Sequence, residues 1–435
     1  MKDINTAVPP PEAPHHVEDL YLDIVLQRDL LIKTIFRQNL NSVTDIARAT
    51  ALNNTVVAEL VDILRQQNMI ETLGTRGREG GSTEMRYQLT ESGKARAIDA
   101  LAQSEYFGPF PVSLKRFEEQ FKLQTVKEAA ITREALDSAS ENIVLPDGMM
   151  ENLGPAVNSG RSILLYGPPG NGKSSIANAI RDALGGEIYV PHVIEFSSQI
   201  ISVFDPVVHD RLDAGEVEAE ASALRMSLPY DRRFVRCKRP SVMTGGELTL
   251  DLLDLRYNPV SRTYQAPLQL KATGGVFIID DLGRQKESPQ AIINRWIVPM
   301  EASIDLLTLA SGQKFQVPFD TLVIFSTNFP PAEMFDGAAL RRIYYKIKVD
   351  RPSQSDFIKI FIKTSRAFGI DPDEGVLEHL INQLYPQTKK RYAGYHAPFL
   401  LSQMLSVCDY EGLPRHMSVD LLERVWPNLY VDDED

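Results

Sequence analysis

Gly167-Pro168-Pro169-Gly170-Asn171-Gly172-Lys173-Ser174 has the G-x-x-x-x-G-K-[ST] spacing of a phosphate-binding loop. Glycines let backbone N–H groups curl round a phosphate with no Cβ in the way. Lys173 supplies a point charge for β- and γ-phosphates, and Ser174 a hydroxyl for Mg²⁺. Together with Ser175 these are the candidate nucleotide contacts. A second candidate, Gly275-Val276-Phe277-Ile278-Ile279-Asp280-Asp281, is an apolar run ending in two carboxylates. Asp280 suits the holding of a metal–phosphate complex, and Asp281 the orienting of an attacking water. Thr321-Leu322-Val323-Ile324-Phe325-Ser326-Thr327-Asn328 ends in an amide able to hydrogen-bond a water or a γ-phosphate. Arg341 and Arg342 are adjacent in Ala338-Ala339-Leu340-Arg341-Arg342-Ile343. Such a pair is either a solvated helix end or a charge offered to a neighbouring subunit's phosphate.

These groups need rigid elements behind them. Ser162-Ile163-Leu164-Leu165-Tyr166 has the length and apolarity of a buried strand, and Ser175 to Leu184 carries apolar residues at helical spacing. Gly185-Gly186 ends that helix. A strand, a glycine loop and a helix in this order aim a helix N-terminus at an anion. The runs before Asp280 and Asn328 read as buried parallel strands, whose carboxyl ends are where α/β sheets bind ligands.

The four stretches, in this order, resemble the AAA+ ATPases over about Ile143 to Tyr430. The resemblance implies an α/β phosphate-loop core with a parallel sheet and a C-terminal helical lid. It makes Lys173 and Ser174 the Walker A residues, Asp280 and Asp281 Walker B, and Asn328 sensor 1. Arg341, with Arg342 close behind, becomes an arginine finger acting in trans, which implies ATP, Mg²⁺ and a ring of like subunits, usually a hexamer. Ser303 to Ala310 and Lys314 to Val317 flank a Ser311-Gly312 turn. This hairpin is similar to the pre-sensor-1 hairpin of the MoxR-like ATPases, where such hairpins face a pore and touch a protein client. A further hairpin is expected from Glu247-Leu248-Thr249-Leu250-Asp251, through a turn at Asn258-Pro259, back along Ser261 to Leu268. Two positions depart from the family. Asp281 stands where Glu is usual, and Pro398 stands where an arginine normally opens the third lid helix, leaving Arg391 and His396 as the nearby cations. Both departures weigh against fast turnover.

A chain of 435 residues with a net charge of −12 has room for two or three domains and argues against a chain-wide nucleic-acid surface. Cys237 and Cys408 are too few for a disulfide framework, no run reaches membrane-span length, and Met1 to Val17 has no apolar core for a signal peptide. A cytoplasmic protein without membrane insertion is expected. Pro9-Pro10-Pro11 and Pro14 mark residues 1–17 as a disordered tail. Helical spacing from Asp19 to Gln38, caps at Ser42 and Asn53 or Asn54, strands at Met69 to Leu73 and Met85 to Leu89, and a helix from Thr90 follow. That order resembles a winged-helix domain over 18–105, with Arg76 and Arg78 at the wing tip. Between Val17 and Glu105, 13 acidic residues outnumber 10 basic ones. Protein docking is therefore favoured over DNA binding.

Residues 106–142 read as a linker, 143–350 as the core, and 351–435 as the lid with an acidic tail. Asp213 to Glu220 reads as an acidic helix, and Arg232, Arg233, Arg236, Lys238 and Arg239 as a solvated face or a pore lining. The expected function is ATP hydrolysis that remodels or regulates a protein client. The alternatives are an ATP-controlled DNA-binding regulator and an assembly switch with little hydrolysis.

Overall fold

Ile163–Tyr166, Val276–Ile279 and Leu322–Thr327 lie side by side in the middle of a five-stranded parallel sheet. Their near-continuous apolar runs are what a strand covered on both faces requires. Side chains alternate between the layers. Ile163, Leu165, Ile278 and Ile324 pack against Ile176 and Ile180 of the helix Lys173–Ala183. Leu164, Phe277, Ile279 and Phe325 pack against Ile292 and Trp296 of the helix Pro289–Ala302. The flanking strands Tyr345–Lys348 and Ser241–Thr244 complete the sheet. Neither was read from sequence, because an edge strand is half solvated; Met243, Lys346 and Lys348 are exposed while Val242 and Ile347 are buried. The molecule is thus an α/β protein, and this computed structural model describes residues 8–77, 83–129, 131–146, 148–212 and 230–429.

A second sheet is assembled around the segment inserted between the helix Lys173–Ala183 and the edge strand Ser241–Thr244, and it draws further strands from before and after that segment. Its five strands run in the order Arg256–Asn258, Thr263–Gln265, Gln199–Ser202, Val193–Phe196 and Val112–Ser113. The ladder of Glu187–Pro191 with Phe234–Lys238 shares its core, as does the hairpin Ile304–Thr308 with Lys314–Pro318. The expected hairpin around Ser311-Gly312 is therefore present, but Leu307, Leu309, Phe315 and Val317 bury one face of it in this core. The return through Asn258-Pro259 also forms, with Asn258 Oδ1 accepting from Val260 N and Ser261 N. Glu247 to Asp251 is not a strand. Leu250–Leu253 is a 3₁₀ turn that buries Leu248 and Leu253, so the local alternation lost to packing under the sheet edge.

Three other expectations change. The supposed linker is structured: Val112–Ser113 pairs with Ile194 and Glu195, the helix Leu114–Leu123 buries Phe117 and Phe121, and the helix Arg133–Ala139 packs on the helix Lys173–Ala183. From residue 8 the proline-rich start is held in place without regular structure. Pro9 O accepts from Gln120 Nε2, Pro11 O from Asp231 N and Pro14 O from Asn53 Nδ2. Prolines cannot donate, but their carbonyls serve as acceptors for distant donors. The basic run is only partly a solvated face: Lys238 is exposed, but Arg233 is 1% exposed in an ion pair with Asp231, Arg236 pairs with Glu187, and Arg239 donates to Gln124 O and Gly274 O. The acidic helix expected at Asp213 to Glu220 lies outside the described residues.

The first quarter of the chain has the expected order: helices Ile24–Gln38, Val43–Thr50 and Asn54–Gln66, a hairpin of Ile70–Gly77 with Thr83–Leu89, and the helix Glu91–Gln103. Ser42, Asn53 and Thr90 cap the helices as their positions suggested. Gly93 is required where it stands, because a Cβ there would meet Met69 O at 2.1 Å. This unit bonds to the inserted sheet through Glu105 N to Ser261 O and Arg262 to Ala102 O. The chain ends in helices Gln354–Ala367, Glu374–His379, His396–Glu411 and Val419–Val425 around Phe357, Phe361, Leu400 and Met404. Among the described residues no helix is long and apolar enough to cross a membrane.

Candidate functional site

Strand Ile163–Tyr166 delivers the chain to Gly167, whose N–H donates to Thr327 O on the adjacent strand at 3.3 Å. Gly167 has φ +144, and a Cβ there would lie 2.2 Å from Val349 O. Gly172, at φ +87, is the N-cap of helix Lys173–Ala183 and has no side chain to bond the first turn. That leaves the helix's leading N–H groups directed at the loop, which suits an anion.

The side chains converge. Lys173 is 5% exposed, and its Nζ donates to Gly167 O and Pro168 O at 2.9 Å each and to Asn328 Oδ1 at 2.6 Å. Asn328 in turn donates from Nδ2 to Asp281 Oδ1 at 2.8 Å. Ser174 Oγ donates to Asp280 Oδ2 at 2.6 Å. Burial pulls the Lys173 ammonium below the usual lysine range, and Asp281 and Asp280 oppose that shift. Asp281 is exposed and holds φ +50, while Asp280 stays partly covered. Asn171 Nδ2 donates to Pro168 O, closing the loop on itself, whereas Pro169, Gly170 and Ser175 lie on its exposed side.

Arg341 and Arg342 are not part of this group. They end the helix Gly337–Arg342, and Arg342 O accepts from Ser162 Oγ. Ser162 precedes the strand that leads into Gly167, so the arginines sit near the amino end of that strand, roughly 16 Å from the loop along it. Arg342 Nε donates to Glu301 Oε1 at 2.7 Å and its Nη1 to Ala338 O. Arg341 is exposed and makes no ion pair among the described residues.

Sequence reasoning missed three contributors. Gln285 is buried; its Nε2 donates to Gly245 O at 3.0 Å and Asp280 O at 3.1 Å, and its Oε1 accepts from Gly283 N. It ties the acidic turn to the edge strand, and only its place after Asp280-Asp281 hinted at it. Gly394 N donates to Asn171 Oδ1, and Tyr395 N to Gly170 O at 2.8 Å. The Tyr395 ring occupies the space that a Cβ on Gly170 would need. The C-terminal helices thus touch the loop through backbone and a ring, not through a cation. His396 does not stand in for an arginine: its Nδ1 bonds Tyr385 OH at 2.7 Å, and burial pushes it down to about 4. Pro398 is in the first turn of its helix, where proline fits.

A magnesium–nucleotide complex fits these donors. Ser174 and Asp280 present a hydroxyl and a carboxylate oxygen together, and magnesium typically takes one or two protein oxygens and fills the rest from phosphates and water. No group of three or more His, Cys, Asp or Glu side chains gathers anywhere among the described residues.

A family model described as a domain of unknown function (DUF8689) matches residues 353–428. No curated protein sequence matches the chain. Among solved structures, NtrX from Brucella abortus in complex with ADP is similar at 14% identity and a TM-score of 0.39, over 79% of this chain and 69% of that one. The Thermotoga maritima RuvB Holliday junction branch migration motor is similar at 15% identity and a TM-score of 0.33, over 74% of each chain.

Proposed function

We propose that this chain is an AAA+ ATPase that binds ATP with Mg²⁺ at Gly167 to Ser175 and hydrolyses it in a ring of its own copies to remodel or regulate a protein client. The observation that carries this reading is the linked set Ser174–Asp280 and Lys173–Asn328–Asp281 at the carboxyl end of one parallel sheet. Bound Mg²⁺ and triphosphate supply the phosphoryl group and its neutralising charge. The chain's own part is positioning and electrostatics. Lys173 is bonded only to neutral oxygens, which it can exchange for phosphate oxygens. Asp281, oriented by Asn328, is the acceptor for the proton of an attacking water. Arg341 is the better candidate for the charge supplied in trans, because Arg342 is engaged by Glu301.

The C-terminal helices act as the lid that reports occupancy through Gly394 and Tyr395. The first unit is a winged helix used for docking. Its Glu59 carboxylate, on the helix that would enter a groove, bonds Val17 N and His16 Nδ1, which supports a structural use of that helix over DNA reading.

Calorimetry and phosphate release test the proposal. The native chain should bind Mg-ATP and release phosphate, and Lys173→Ala and Asp281→Asn should not release it. Mixing inactive Arg341→Ala with inactive Lys173→Ala subunits should restore turnover at shared interfaces. Absence of heat with any nucleotide on folded protein overturns the reading. Salt-dependent gel shifts with DNA fragments would favour the regulator instead.

A further inference from the structure

Where the central sheet hands over to the C-terminal helices there is a cavity of about 650 Å³ outside the contacts described above. Arg351, Lys389, Lys390 and Arg391 line it, and its one acidic side chain, Asp350, is bridged to Lys348 Nζ at 2.6 Å. Among the described residues no carboxylate lies within ion-pair distance of Arg351, Lys389 or Arg391. Several like charges facing one hollow repel each other, and an anion of matching charge relieves that repulsion. The guanidinium forks of Arg351 and Arg391 and the ammonium of Lys389 suit an oxyanion with several oxygens, because arginine binds such groups in pairs of hydrogen bonds.

The wall is rigid. Tyr385 and Tyr392 line it with ring centroids 4.5 Å apart, and Tyr392 stacks on the buried Phe357 at 5.1 Å. Lys389 is held at φ +55, a left-handed conformation that turns the basic segment sharply after the short helix Tyr385–Thr388. Both rims also lead to the phosphate loop. Arg351 is two residues beyond Val349, whose carbonyl closes on Gly167, and Tyr392 is two before Gly394, which bonds Asn171.

We propose that this basic cavity is a second anion site that binds a polyphosphate group, either free or carried on a nucleoside whose ring lies against Tyr392. A ligand there would bridge the sheet and the C-terminal helices and bias their relative position. The proposal rests on the cavity's lining and not on ATP hydrolysis.

The test uses the full chain carrying Lys173→Ala, which disables the loop, titrated calorimetrically with sodium tripolyphosphate and, separately, with ATP, both in EDTA at low ionic strength. Saturable binding is expected, weakened at least tenfold by adding Lys389→Glu and Arg391→Glu, and weakened by salt. ATP binding at least tenfold tighter than tripolyphosphate would assign the ligand to a nucleoside, and equal binding to the free polyanion; both support the site. The pair of substitutions in the otherwise native chain should change Mg-ATP affinity less than threefold. No binding by the Lys173→Ala chain, or binding that survives the charge reversals, overturns the proposal. So does a tenfold loss of Mg-ATP affinity from those reversals, because the cavity would then belong to the loop site. If the reversed chain melts early, Lys389→Gln with Arg391→Gln provides the same comparison.

Discussion

Lys173 and Arg233 are both buried cations, and they are held in opposite ways. Lys173, at the carboxyl end of the central sheet, is bonded to two backbone carbonyls and one amide oxygen. Arg233, just before the strand Phe234–Lys238, donates from Nε and Nη2 to Asp231 and from Nη1 to Pro111 O. Neutral acceptors leave the lysine without a directly bonded counterion and its hydrogen bonds exchangeable. A buried carboxylate neutralises the arginine, so nothing outside the protein can compete for it. Asp231 also receives no solvent relief and accepts from Arg233 N. The first arrangement awaits an anion; the second welds the inserted sheet to the segment around Pro111 and the proline-rich start.

The widest separation between the two should come from Arg233→Ala. Leaving Asp231 charged and buried should lower stability by about 3–5 kcal/mol, read by urea unfolding, while nucleotide affinity of the folded fraction stays unchanged. Lys173→Ala should do the reverse, cutting phosphate release by about 10²–10³-fold with little change in melting temperature. Loss of fold in Lys173→Ala, or of turnover alone in Arg233→Ala, would collapse the distinction.

Acid tests a third buried group. His396 titrates at about 4 in the fold against 6.5 when unfolded. Between those values the unfolded chain carries the extra proton, so stability falls as pH drops from about 6.5 towards 4, by at most about 3 kcal/mol. His396→Gln should flatten that slope in thermal melts recorded across the window. The smallest effect expected is for Gln285→Ala, which releases the acidic turn from the edge strand. A kcat loss of about tenfold with KM nearly constant is expected, and Gln285→Glu should not recover it, because a carboxylate keeps an acceptor for Gly283 N but cannot donate to Gly245 O or Asp280 O. A rise in KM alone would place Gln285 in nucleotide binding.

Legibility followed burial and periodicity. The three central strands and the helix Lys173–Ala183 were readable because both faces of the sheet are covered, so each strand is one apolar run. The caps act within three residues of themselves, so Ser42 and Thr90 were equally plain, and only the choice between Asn53 and Asn54 stayed open. The inserted sheet was not, because its strands are short and its core collects residues from Val112 to Val317. The basic run misled for a related reason: Glu187 and Gly274 O, the partners of Arg236 and Arg239, come from distant segments, and the Arg233–Asp231 pair, though only two residues apart, is buried by the packing of Pro11 and Pro111 against it.

From the chain alone came the identities and spacing of the loop, the Asp280-Asp281 turn and Asn328, because each is a local pattern on a single strand end. Only folding decided that Lys173 meets Asn328, that Arg342 is bound by Glu301 while Arg341 is not, and that Tyr395 closes on Gly170. Those contacts join residues far apart in sequence. Their existence depends on strand order and helix docking, which no local periodicity encodes.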